Sequence, residues 1–158
     1  MAPAWAPTPD QVAALLRAYT RGAETGAEVP AGELGRFTAT TRPTLEAVEE
    51  IIGIACGEVA AGFEGRQPCR PDLQESARTA ALYRACQLVC ASYFPEATRG
   101  ETSAFEAFAS MYDGASRTVW AAVVARCPLD PDDPDDDGGA LAPVGAGPAL
   151  RFPKGVDW

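Results

Sequence analysis

The chain has 158 residues, 47% of them hydrophobic and 22% charged, a balance that fits one globular domain with a sizeable core. Its formal net charge of −9 excludes a general nucleic-acid binder, which would show clustered lysine and arginine. There is no histidine, so the side chain best suited to acid–base work near neutrality is missing.

In chain order, residues 1–7 carry Trp5 between prolines and read as an extended N-terminal arm that something must tie down. Thr8-Pro-Asp-Gln11 has the form of a capping box, with Pro9 at the first helical position. Val12, Leu15, Leu16 and Tyr19 then recur at helical spacing and predict a first helix from about Pro9 to Thr20. No period survives from Arg21 to Arg42, where four glycines and Pro30 make a long irregular connection. A connection of that length inside a compact domain is usually a contact or functional loop. Gly35 to Thr41 is rich enough in β-branched residues to be extended.

Thr41 or Arg42 is expected to cap a second helix, with Pro43 near its first position and Glu46, Glu49 and Glu50 at the positive end of its dipole. Leu45, Val48, Ile52, Ala55, Val59 and Gly62 step three and four residues apart, a heptad-like seam. Gly53 and Gly57, one turn apart, are expected to admit a neighbouring backbone in tight helix packing. Glycines and Pro68 break the helix before Arg70.

Pro71 to Pro95 dominates the pattern. From Thr79 to Phe94 only Arg84, Gln87 and Ser92 clearly interrupt the apolar run. A helix apolar nearly all round is wrapped by neighbours, so this rod of about 36 Å is the expected core helix. Its apolar run is too short for a membrane span and carries a guanidinium. A fourth helix opens at Glu101-Thr-Ser and runs to about Arg126, with Phe105, Phe108, Tyr112, Ala115, Val119 and Ala122 forming another seam. Two seamed helices flanking an apolar one predict an all-α fold: a small bundle of about four helices over residues 8–127.

Residues 128–139 form an acidic linker in which six aspartates, between Asp130 and Asp137, sit among prolines and glycines. A calcium loop is the rival reading, but the run lacks the glycine and closing glutamate such a loop needs. Residues 140–158 turn partly apolar again and read as a docking tail, with folding back on the bundle as the alternative. Five cysteines make no metal-binding pattern, although Cys86 and Cys90 lie one turn apart. They are expected to be small buried hydrophobes in a reducing compartment, an odd count without a recognisable export signal. No phosphate-binding loop is present, and no catalytic, cofactor-binding or metal-ligating residue is expected.

Several short stretches, taken in order, resemble the head-to-tail connector (adaptor) proteins of long-tailed bacteriophages. They are Trp5-Ala-Pro-Thr8, Phe37-Thr-Ala-Thr-Thr-Arg-Pro-Thr44, Ser92-Tyr-Phe-Pro-Glu96 and the aromatic fourth helix. The resemblance covers about residues 4 to 126; after Cys127 it is one of character rather than sequence. It implies a non-enzymatic virion protein, assembled in the host cytoplasm and placed at the neck as a homo-oligomeric, typically dodecameric ring. The ring would join the portal protein to the stopper or head-completion protein, and genomic DNA would pass through its lumen without specific binding. No cofactor and no membrane are implied. Carried onto this chain, the portal-binding candidates are Leu150, Phe152, Pro153, Val156 and Trp158. Trp5, Arg36, Phe37 and Arg66 are candidates for contacts with neighbouring subunits or the stopper. Two other readings remain open: a small helical DNA-binding or regulatory module, and an enzyme built on a cysteine nucleophile such as Cys69.

Overall fold

Helix α3, Pro71–Tyr93, is the axis of the fold. In the computed structural model, which describes residues 2–19, 21–22, 35–94, 98 and 103–129, no residue from Ala77 to Cys90 is exposed. Alanines and cysteines make this possible: Ala77, Ala80, Ala81, Ala85, Cys86 and Cys90 are fully buried, and their small side chains let neighbouring helices approach closely. Pro71 occupies the first turn, and the helix ends where the Phe94 N–H reaches the Cys90 carbonyl at 3.0 Å. α4, Ala104–Arg126, packs most extensively against α3, followed by α2, Leu45–Ala61. These elements, with α1 (Pro9–Leu15), make the expected all-α bundle.

The capping box of α1 is present in both halves: Thr8 N–H donates to Gln11 Oε1 (2.9 Å) and Gln11 N–H to Thr8 Oγ1 (3.3 Å). The helix is shorter than expected. It stops at Leu15 and tightens into a 3-10 turn over Arg17–Tyr19, leaving Leu15 45% exposed while Val12, Ala13 and Leu16 are buried. That tightening aims Tyr19 at Phe94, ring centroids 5.3 Å apart. The arm is tied down by its own domain, since Trp5 packs edge-on against Phe63 at 5.9 Å.

The cap of α2 lies further along than expected. Thr44 accepts from Ala47 N–H at 3.3 Å and is the N-cap, after a cis Arg42–Pro43 bond. Thr41 is otherwise engaged: its hydroxyl accepts from Thr38 N–H at 2.8 Å and sits 2.8 Å from the Pro43 carbonyl, closing the turn that delivers the chain to the helix. Thr41–Arg42 also pairs antiparallel with Arg21–Gly22, the short ladder in which the extended stretch ends. Along α2 the expected seam is buried at Val48, Ile52, Ala55 and Val59, whereas Leu45 is 37% exposed.

The glycine expectation is corrected. A Cβ at Gly53 or Gly57 would meet nothing within 4 Å, so no helix approaches there. The close approach is at Gly62, where a Cβ would overlap the Trp120 indole, whose Nε1 donates to the Val59 carbonyl at 2.8 Å. Trp120 comes from α4, so the end of α2 is where these two helices touch through a bare backbone.

The cysteine expectation is corrected in part. Cys69 and Cys127 form a disulfide that ties the α2–α3 connection to the end of α4, while Cys56, Cys86 and Cys90 are buried free thiols. Spacing along the chain gave no sign of the pair, 58 residues apart. Beside the disulfide, Arg66 and Leu129 form an isolated antiparallel bridge.

Candidate functional site

One polar cluster interrupts the apolar core. Arg84, the guanidinium interrupting α3, meets Glu58 of α2 in a two-toothed pair (Nε to Oε2, and Nη2 to Oε1 at 3.1 Å). Its Nη1 also donates to Gln87 at 2.7 Å, and its Cζ lies 5.3 Å from the centre of the Tyr112 ring. The hydrogen bond to Glu58 holds Arg84 above its ordinary pKa despite burial, which acts in the opposite sense. Burial, and then the Glu58 charge, raises Tyr112 above 10.0. All three guanidinium nitrogens and both Glu58 oxygens are engaged, and the cluster clamps α2, α3 and α4 together. The clue in the sequence was a lone arginine in an apolar helix, which requires a carboxylate on whatever wraps it.

The thiols are equally quiet. Burial pushes Cys56 and Cys90 from 9.0 up to about 11, and raises Cys86 further with a smaller contribution from Cys90. Thiols so shifted are protonated near neutrality and poor nucleophiles. Cys69, the nucleophile considered above, is committed to its disulfide. Among the described residues no group of three or more histidine, cysteine or acidic side chains converges as for a metal, and no helix is long and apolar enough to cross a membrane.

A surface feature is more distinctive. The outer face of α2 carries a groove of about 460 Å3, floored by Gly53 and Gly57 and walled by Trp5 of the arm and Gln67 of the following turn. A second depression of about 280 Å3 continues it past Ala39 and Leu45, and Glu49 borders both. Together they follow α2 from its last turn to its first. Trp5 is 3% exposed, and its Nε1 is buried with no acceptor among the described residues, an uncommon state for an indole N–H. Ile54, on the same helix, is 55% exposed.

The expected contact residues separate into four groups. Trp5 and Phe37, 3% and 6% exposed, belong to the core of their own subunit, so neither presents its ring to a neighbour in this conformation. Arg36 is exposed. The Arg66 guanidinium folds onto the Glu64 carboxylate at 3.5 Å, while its backbone holds Leu129. Leu150, Phe152, Pro153, Val156 and Trp158 lie outside the described residues. Sequence reasoning missed the groove because it read Gly53 and Gly57 as packed against a helix, when the packed glycine is Gly62. No protein-family model, curated protein or solved structure matches the chain.

Proposed function

We propose that the chain is a structural subunit of the neck of a long-tailed bacteriophage, a connector that assembles as a ring on the portal and receives the stopper or tail. The observation that carries this reading is where the resemblance motifs fall. Trp5 anchors the arm and Thr8 caps α1. Thr44 caps α2, and Phe94 closes α3 with its ring buried. Each short motif therefore sits at a helix end in the order the resemblance requires, and these residues set the connections of the bundle.

The rest of the molecule suits a passive role. A helical body clamped by the Arg84–Glu58 pair gives a ring a stiff building block, and repeated weak contacts around a ring reinforce one another through effective concentration. An acidic protein would also let DNA slide past, because phosphate affinity grows with the number of basic contacts. The apolar tail residues from Leu150 to Trp158 are the proposed portal contacts. Mass spectrometry of purified particles, with particles made without the chain, tests the reading. The expected result is several copies per particle, and filled heads that fail to join tails when the chain is missing. Normal tailed particles without it would refute the proposal.

A further inference from the structure

The groove along α2 has one neighbour whose position is fixed. Leu129 is held beside Arg66 by backbone pairing, and the next residue, Gln67, walls the groove, so the chain leaves the described structure at the groove's end. From there it continues to Trp158 through Asp130 to Ala149. At up to about 3.3 Å per residue that stretch reaches well beyond the length of α2, about 25 Å.

The chemistry of the final segment matches the groove along its length. Leu150, Phe152 and Val156 offer apolar side chains to a floor of bare helix backbone at Gly53 and Gly57. Arg151 and Lys154 are the only cations after Arg126, and the far part of the groove is edged by the exposed carboxylates Glu46 and Glu49. Pro148 and Pro153 restrict the segment in advance, which lowers the entropy lost on docking.

The geometry points to intramolecular docking of the C-terminal segment, residues 150–158, in the groove between the N-terminal arm and α2 of the same chain. Tethering favours the chain's own groove over a neighbour's by raising the local concentration. This inference concerns the free subunit and does not rest on the connector reading. A partner that recruits the tail would have to displace it from α2 first.

Limited trypsin digestion of the full chain tests it, because trypsin cuts after Arg151 and Lys154 and cleavage tracks the fraction of time a segment is undocked. A Cβ at Gly57 meets nothing within 4 Å, and leucine favours the helix over glycine, so Gly57→Leu narrows the groove while the helix is kept. Glu46→Gln with Glu49→Gln removes the charge match, leaves the floor intact and adds no trypsin site. The expected result is that both variants lose their tail at least about tenfold faster than the natural chain, at a rate independent of protein concentration. Equal rates in all three proteins would overturn the inference. Protection that strengthens with protein concentration would overturn the same-chain assignment by placing the tail on another copy.

Discussion

The two sides of α2 are built on opposite terms. Its inner side, against α3 and α4, is closed: Val48, Ala55 and Val59 are fully buried, Glu58 is clasped by Arg84, and Gly62 lies under Trp120. Its outer side is open, with glycines that touch nothing, an exposed isoleucine and an indole N–H lacking an acceptor beside them. Evolution can leave a helix face unfinished when something else completes it, whereas an unfinished core is simply unstable. The contrast places the packed interface on the α3 side and the open groove on the arm side.

The disulfide offers the largest test, since it holds the closed side shut at the point where the chain departs. A bridge between residues 58 apart is worth about 4 kcal/mol through lost chain entropy in the unfolded state. Reduction or Cys127→Ser is therefore expected to lower the urea midpoint by the corresponding amount. An unchanged midpoint would mean that the loop is held by its other contacts.

Glycine substitutions sharpen the comparison, because they should have opposite signs on one helix. Gly62→Ala must push Trp120 off Val59, and overpacking together with the lost hydrogen bond is expected to cost about 2–3 kcal/mol. Equilibrium unfolding would check this, and a neutral result would show that the indole can move freely. Gly53→Ala, on the open side, is expected to stabilise by about 1 kcal/mol through helix propensity. A loss of stability there would mean that the added methyl crowds an occupant of the groove, the proposed C-terminal segment.

The buried thiols give the mildest effect. Their pKa values are raised on folding, so the folded state holds its protons more tightly, and that stability is complete below pH 9.0. It falls as the pH rises through the window up to about 11. Cys56→Ala and Cys90→Ala should each flatten the decline in stability measured by thermal melts across that range. An unaltered slope in both variants would locate the decline elsewhere.

Much of the fold was legible because it rests on local chemistry. The Thr8–Gln11 box, Pro71 and Pro95 mark helix ends through patterns a few residues long, and the apolar girth of α3 announces its burial. Most of the features that escaped depend on distant partners, and one on its near neighbours. Thr41 looked like a cap until its hydroxyl proved to be occupied by the preceding turn. Gly62 lies on the apolar seam and Gly53 and Gly57 lie off it, but only the position of Trp120, on another helix, shows which one is covered. Cys69 and Cys127 likewise meet because α3 and α4 run back along each other. The groove needed all of these placements at once, which is why the arm suggested something held in place but not the channel it helps to form.

The proposal that this bundle serves as a ring-forming connector is tested most directly by electron microscopy of the purified full chain, alone and mixed with the portal encoded by the same genome. The account predicts closed rings of helical bodies seated on the portal, with a continuous central channel. A chain that stays monomeric and leaves the portal bare under assembly conditions would contradict it.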